Sequence, residues 1–139
     1  MKYSVPQAKI SGNYITIDTF GYLNPFKKIL VGTLRARIFA SERYIQIDAF
    51  SVHPEHRRKK IGTTMWEVLK TALCDKSKIE YILVYPHPYY DLPLFPGEKE
   101  PDPIHLSELY DYYLQLSFDS VNKPLDKSKC DQPLIFKLR

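Results

Sequence analysis

A run of four cations, Arg57-Arg58-Lys59-Lys60, is the feature of this sequence whose residue types most directly indicate chemistry. The run stands immediately before a helical pattern, and a helix N-terminus already carries partial positive charge, so each cation there costs about a few tenths of a kcal/mol. A bound anion reverses that sign, because the free N–H groups of the first turn and the cationic side chains together bind phosphate. The run therefore predicts a phosphate site, and the alternative is a solvated basic helix cap.

The cations lie between a predicted strand and a predicted helix. Residues 44–52 are rich in β-branched and aromatic side chains, and the His53-Pro54 pair ends the strand because proline cannot continue a central strand. Downstream, apolar residues recur with a period of about 3.6, which is typical of a helix packed on a sheet. This apolar stripe consists of Ile61, Met65, Val68, Leu69 and Ala72.

Val52-His53-Pro54 followed by Arg57 to Gly62 resembles the signature of the GNAT (GCN5-related N-acetyltransferase) superfamily, in which V-x-P precedes Q/R-x-x-G-x-G/A and a helix. Lys60 occupies the position of the first glycine, and its charge would meet a phosphate. The resemblance implies that backbone N–H groups of this turn bind the pyrophosphate of acetyl-CoA, while the preceding strand pairs with the pantetheine amides. The implied cofactor-binding residues are Phe50, Ser51, Val52, Arg57, Arg58, Lys59, Lys60, Ile61, Gly62 and Thr63.

A second segment, residues 112–118, resembles the F-Y-x-x-x-G-F motif of the same family, with Tyr112 in place of Phe and Ser117 in place of Gly. The resemblance implies that Tyr113 protonates the sulfur of the departing CoA. The alternative is that Tyr113 is a core residue on the apolar face of a helix. Leu106 stands where the family frequently has an asparagine that touches the cofactor.

The general base is expected on the strand before the basic turn. Members of the family often use a glutamate there, whereas this chain has Gln46, which cannot accept a proton. Asp48 lies two residues further on and hence on the same strand face, so we predict Asp48 as the base. The other candidates are histidines for which an exposed loop position is the simpler interpretation: His53, His56 and His87. The resemblance also implies that a backbone N–H near Phe50 or Ser51 holds the oxyanion.

The other elements predict an α+β (α/β) fold in one domain, residues 1–139. We expect a GNAT-like, mostly antiparallel central sheet with one parallel, splayed strand pair and about two main helices. The predicted strands are 13–20, 28–39, 44–52, 79–85 and 134–138, and the second helix is 105–117. By the resemblance, the parallel pair opens at Tyr85-Pro86 to admit acetyl-CoA. The helices that the family usually places between its first two strands have no room here, so this would be a pared-down member.

Residues 86–103 form a proline- and tyrosine-rich loop that is unusually long for a connection. Its large apolar residues indicate that it packs, either as a lid or wall of the acceptor site or as a cover for the sheet edge. The loop also carries Asp91, Glu98, Glu100 and Asp102, which would attract a cationic amine if the loop borders the site. These carboxylates are equally explained as solubilising charges.

Composition narrows the remaining possibilities. The chain is 44% hydrophobic and 26% charged, as in a globular domain, and no segment approaches the roughly 20 apolar residues of a membrane span. The first residues lack a signal-peptide core, so we expect a cytoplasmic protein with no membrane partner. Cys74 and Cys130 have no metal-like spacing, and we expect reduced thiols and no metal. The exposed sheet edge and the 11 tyrosines are compatible with a homodimer.

The sequence thus predicts an N-acetyltransferase that moves the acetyl group of acetyl-CoA to a primary amine by direct attack in a ternary complex. The acceptor is either a small molecule or a protein lysine or N-terminus. One alternative is a non-catalytic acyl-CoA-binding sensor or interaction module, which the departures at Gln46, Lys60 and Leu106 favour. A nucleic-acid-binding protein using Arg57 to Lys60 is a third, although the net charge of +4 is mild.

Overall fold

The computed structural model describes residues 1–74, 78–88 and 105–138, and within these ranges the chain forms a mixed sheet with two α-helices. The strands are β1 (Lys2–Tyr3), β2 (Ala8–Ser11), β3 (Tyr14–Asn24), β4 (Lys27–Phe39), β5 (Tyr44–Val52), β6 (Tyr81–Val84), β7 (Asp119–Ser120) and β8 (Leu134–Lys137). The helices are α1 (Ile61–Leu73) and α2 (Leu106–Gln115), and a short 3-10 helix (Pro54–His56) follows β5. The sheet order is β1-β3-β4-β5-β6-β8-β7, with β2 also paired to β3. The predicted α+β architecture is confirmed.

The parallel pair of the sheet is β5 and β6, and it separates partway along its length. The pairing runs from Tyr44 opposite Tyr81 to Ile47 opposite Val84, where β6 ends. Strand β5 continues to Val52, still paired with β4 on its other side. The last part of β5 therefore has no partner strand on the β6 side within the described residues. This is the opening predicted near Tyr85-Pro86.

A β-bulge in β5 determines which side chains face the opening. Ala36 pairs with Ile47 and Arg35 pairs with Ala49, so Asp48 is the extra residue of the bulge. A bulge shifts the in-and-out alternation by one residue. Phe50, which would otherwise face away, thus lies on the same side of the sheet as α1, whose Gly62 it approaches.

Helix α1 packs on the sheet and forms the centre of the core. Its buried residues are Ile61, Met65, Trp66, Leu69 and Leu73. Of the predicted stripe, Val68 packs against the core but is only half-buried, as is Ala72, and the prediction omitted Trp66 and Leu73. Trp66 reaches the far end of the sheet, where its ring lies 5.1 Å from those of Phe118 and Phe136. The pattern missed these contacts because they come from the C-terminal part of the chain.

Several predicted boundaries differ from those observed. Strand β3 extends to Asn24, beyond the predicted end at residue 20, and Pro25-Phe26 connects it to β4. Helix α2 ends at Gln115, and β6 is shorter than the predicted 79–85. Residues 89–103 of the proline- and tyrosine-rich loop lie outside the described ranges. In the part of the chain that the structure describes, neither helix is long and apolar enough to cross a membrane.

Candidate active site

A cleft of about 840 Å³ lies where β5 and β6 separate. Its walls are the second half of β5, the basic turn, the start of α1, the end of β6 and one face of α2. Both predicted catalytic residues, Asp48 and Tyr113, line this cleft. All of the predicted cofactor-binding residues line it except Lys59: Phe50, Ser51, Val52, Arg57, Arg58, Lys60, Ile61, Gly62 and Thr63. The structure thus brings together predicted residues as far apart in the sequence as Asp48 and Tyr113.

The basic end of the cleft is built from a turn with two left-handed residues. Arg58 has φ of 64° and Lys60 has φ of 63°. Lys60 is the N-cap of α1, and its side chain makes no capping hydrogen bond. The first-turn N–H groups of a helix have no partner within the helix, and this first turn contains no acidic residue. Free N–H groups beside Arg58 and Lys60 form a concave donor surface that fits a phosphate group.

Two residues that replace motif glycines have adopted the backbone conformation that glycine favours. Lys60, at the first glycine of the turn, has φ of 63°, and Ser117, at the glycine of the second motif, has φ of 76°. A non-glycine residue in this region costs about 1 kcal/mol or more. The chain therefore keeps this backbone geometry at an energetic cost, and at Lys60 it gains a cation at the basic end of the cleft.

Arg57 ties the basic turn to the strand. Its Nε donates a hydrogen bond to the carbonyl oxygen of Val52 at 3.1 Å. The backbone N–H of His53 donates to the carbonyl of Val31 at 2.7 Å, which anchors the end of β5 to β4. Arg57 thus positions the turn as well as lining the cleft.

Gly62 allows α2 to lie against the first turn of α1. A Cβ atom at this position would lie 2.9 Å from the hydroxyl of Tyr112, 3.6 Å from Phe50 and 3.7 Å from Val52. Any side chain here would therefore displace Tyr112 or the helix. Sequence reasoning assigned Gly62 to the phosphate turn and missed Tyr112 as its neighbour, because α2 is distant in the sequence.

The cleft combines a strand opening, a basic helix N-terminus and a tyrosine pair on a second helix. The model of the Acetyltransferase (GNAT) family matches residues 14–90, which is more than half of the sequence. The chain belongs to this family. A comparison with curated protein sequences gives no match.

Solved acetyltransferase structures share this GNAT fold at low sequence identity. NAA60 from Arabidopsis thaliana, in complex with a bisubstrate analogue, has a TM-score of 0.66 and 10% identity, covering 93% of this chain and 78% of that one. Tetrahymena GCN5 has a TM-score of 0.59 and 13% identity, covering 93% and 71%. PaiA N-acetyltransferase from Thermoplasma acidophilum, in complex with coenzyme A, has a TM-score of 0.59 and 18% identity, covering 90% and 61%.

In this GNAT protein, Tyr113 is both buried and part of the cleft wall. It is 4% exposed, and its ring lies 5.4 Å from that of Phe118 and 6.3 Å from that of Phe50. Tyr113 belongs to the core, as the alternative interpretation predicted, and it also lines the cleft. Packing on several sides holds the phenol in one orientation.

Asp48 is held by an ion pair that sequence reasoning missed. Arg37 Nε lies 2.7 Å from Asp48 Oδ2, and Nη2 lies 2.9 Å from Oδ1. The hydrogen bonds and the charge of Asp48 raise the pKa of Arg37. The register places Arg37 opposite Gln46, and the bulge presents Asp48 on the same face. One local feature of the sequence indicated the bulge: Ile47 and Phe50 are three positions apart, whereas apolar residues on one face of a regular strand are two positions apart.

The histidines lie at the edge of the turn. His53 is buried, so its predicted exposure is wrong, and its Nδ1 accepts a hydrogen bond from the N–H of Glu55 at 3.2 Å. His56 Nδ1 lies 2.9 Å from the hydroxyl of Tyr3. The pKa of His56 is lowered, mainly by burial and secondly by the neighbouring His53. Ligand atoms of His53, Glu55 and His56 lie within 4.8 Å of one another. Proximity of ligand atoms alone does not establish a metal site, so we assign none to this group.

Two further carboxylates, on α2, line the cleft and were not singled out from the sequence. These are Glu108 and Asp111, and Asp111 pairs with Lys127. His87 and Tyr85 line the cleft beyond the end of β6, and His87 Nδ1 lies 3.4 Å from a carboxylate oxygen of Asp131. The cleft therefore combines cations from the turn with carboxylates from β5 and α2.

Proposed function

We propose that this protein is an acetyl-CoA-dependent N-acetyltransferase that acetylates a primary amine by direct attack in a ternary complex. The observation that carries the proposal is the cleft itself, in which a basic helix N-terminus, the buried Tyr113 and the carboxylate of Asp48 line one continuous cavity. Membership of the GNAT family supports it independently.

The residues at the basic end fit the cofactor. The free N–H groups of Ile61, Gly62 and Thr63, with the side chains of Arg58 and Lys60, would hold the pyrophosphate. Beyond Asp48, β5 lacks a partner strand on the splayed side within the described residues, so its backbone groups there would pair with the pantetheine amides. Bound acetyl-CoA supplies the acetyl group as a thioester.

For this reaction the protein must position the two substrates and transfer protons. A protonated amine first loses one proton. The neutral nitrogen then forms an amide bond to the acetyl carbon as the C–S bond breaks, a second proton leaves the nitrogen and one proton reaches the sulfur. Asp48 would accept the proton from the amine, directly or through water, and Tyr113 would donate to the sulfur. A backbone N–H near Phe50 or Ser51 would stabilise the oxyanion.

The carboxylates support a cationic acceptor. Asp48, Glu108 and Asp111 line the cleft together with the cations of the turn. Carboxylates attract a protonated amine, whether it belongs to a small molecule, a protein lysine or a protein N-terminus. The amine must lose a proton before attack, and a carboxylate in the same cleft provides the acceptor.

A second candidate is a non-catalytic acyl-CoA-binding sensor. The observation that favours it is the ion pair of Asp48 with Arg37, which engages both carboxylate oxygens. Gln46 cannot replace Asp48 as a base. In this alternative the cleft binds the cofactor and no acetyl group is transferred.

The first test is calorimetric titration with acetyl-CoA and CoA, using two variants of α1 as a matched pair. Thr63 and Thr71 are both exposed on α1, and only Thr63 lines the cleft. We expect micromolar binding by the wild type, loss of binding in Thr63→Trp and retention in Thr71→Trp. No binding by the wild type would overturn both the enzyme and the sensor.

The second test separates the enzyme from the sensor. A panel of amines is incubated with acetyl-CoA, and CoA release is followed with wild type and Tyr113→Phe. We expect turnover for at least one cationic amine and about a 10²-fold lower kcat in Tyr113→Phe, with CoA affinity retained. Cofactor binding without turnover on small amines, peptides bearing lysine or peptides with free N-termini would establish the sensor.

A further inference from the structure

The hydroxyl of Tyr112 lies at the start of α1, in the wall of the cleft. It is 2.9 Å from the position that a Cβ of Gly62 would occupy, and Gly62 is the second residue of the helix. The ring is held edge-on to Phe50, with 5.9 Å between centroids. In the motif that residues 112–118 resemble, this position is Phe. The hydroxyl is therefore an addition beside the free N–H groups of the first turn.

This hydroxyl has no hydrogen-bond partner among the described residues, although the side chain is largely buried. Among the described residues, Thr19 Oγ1 is the one side-chain atom that is both fully enclosed and unpaired. The unpaired hydroxyl of Tyr112 is therefore not fully enclosed. The phenol of Tyr110, also on α2, is different: it donates to the carbonyl of Lys129 at 2.7 Å. Tyr112 thus keeps a donor directed at the cleft.

The hydroxyl is open to the cleft, but the partial burial of its side chain limits its hydration, which is unfavourable for a hydroxyl with no protein partner. The ring contact with Phe50 needs no oxygen. Burial raises the pKa of Tyr112 to about 12, so the phenol stays protonated and can donate throughout the neutral range. Packing alone does not account for the oxygen, whereas an anion bound at the first turn of α1 does.

We propose that Tyr112 donates a hydrogen bond to a pyrophosphate oxygen of the acyl-CoA, as a binding residue on α2 in addition to the N–H groups and cations of the turn. The inference rests on the proposed function, because it requires that the cofactor occupy this cleft. Hydrogen bonds to charged acceptors are about twice as strong as neutral ones. The contact would also join α2 to α1 through the cofactor, since Gly62 and Tyr112 would meet the same group.

The test is Tyr112→Phe, with Tyr22→Phe, which is exposed and outside the cleft, as the matched loss of a hydroxyl. We expect CoA to bind Tyr112→Phe about 10-fold more weakly, while Tyr22→Phe matches the wild type. The melting temperature of ligand-free Tyr112→Phe should be unchanged or higher, because the variant loses an unpaired hydroxyl. A purely structural tyrosine would give the reverse: a lower melting temperature and unchanged affinity.

Fragments of the cofactor locate the contact. In competition against a fluorescent CoA analogue, Tyr112→Phe should bind ADP more weakly than the wild type does and should bind pantetheine with unchanged affinity. Of the two fragments, only ADP carries the pyrophosphate. A penalty on pantetheine with none on ADP would overturn the pyrophosphate assignment. Equal CoA affinity of Tyr112→Phe and wild type would overturn this inference alone. Failure of the wild type to bind CoA would overturn the proposed function with it.

Discussion

Arg37 and Asp48 form a two-point ion pair across the bulge of β5, with donor–acceptor distances of 2.7 and 2.9 Å. Both side chains are substantially exposed, at 42% and 33%. An exposed ion pair contributes only about 0–1 kcal/mol to stability. The pair therefore orients the carboxylate more than it stabilises the fold.

Replacing Asp48 by Asn should separate catalysis from binding. We expect kcat to fall about 10²-fold, because the amide cannot accept the proton of the amine, while the Kd for CoA changes by less than about twofold. Steady-state kinetics with the acceptor found in the amine panel, together with calorimetry, measures both. Arg37→Gln is the control for loss of the ion pair without loss of the carboxylate, and it should lower kcat less than Asp48→Asn does, because the base is still present. An unchanged kcat in Asp48→Asn would exclude Asp48 as the base.

Substituting glycine at two positions with positive φ should relieve backbone strain at both and change cofactor binding at only one. Lys60→Gly and Ser117→Gly each replace a residue with positive φ. Relief of about 1 kcal/mol in the folded state is offset in part by the greater freedom of glycine in the unfolded chain. We expect both to leave the free energy of unfolding, measured in urea, unchanged or slightly higher.

Only Lys60→Gly should alter cofactor affinity, because it alone removes a cation from the cleft. A decrease of about 3- to 10-fold in CoA affinity is expected, and it should diminish at high salt as the charge is screened. If Ser117→Gly weakened CoA binding as much, the effect would come from the backbone rather than from the charge of Lys60.

The pH dependence of stability should include a contribution from His56. Its pKa is lowered in the folded protein, first by burial and then by His53. The unfolded chain, with a histidine pKa of about 6.5, therefore binds the proton more readily than the folded chain does. The contribution of His56 to stability is fully present above the unfolded-state pKa and is lost as the pH falls through the folded-state pKa.

Urea unfolding of wild type and His56→Gln at about pH 7.5 and 5.5 measures this contribution. We expect the wild type to lose more stability than His56→Gln between the two pH values, because glutamine does not titrate. Identical pH dependence in the two proteins would contradict the assignment. The contact between His56 and Tyr3 predicts in addition that Tyr3→Phe lowers stability at the higher pH, since His56 then loses its hydrogen-bond partner.

Local patterns in the sequence were sufficient to predict strand β5, the basic turn and helix α1. Their signals lie within a few residues of one another: the proline that ends β5, the cations, Gly62 and the apolar period of the helix. The same continuity made the GNAT resemblance recognisable and placed nearly all the predicted cofactor residues at one cleft. The positive φ of Lys60 and Ser117 also agrees with the motif positions, because glycine is favoured where the backbone is left-handed.

Tertiary structure decided which side chains meet. The pairing of Arg37 with Asp48 depends on strand register and on a bulge, and the approach of Tyr112 to Gly62 depends on where α2 docks. His53 is buried at the end of β5, where its N–H donates to the carbonyl of Val31 in β4, and Trp66 packs against Phe118 and Phe136 from the C-terminal region. Each of these contacts joins residues that local periodicity cannot relate, since register and docking are set by the packing of the whole core.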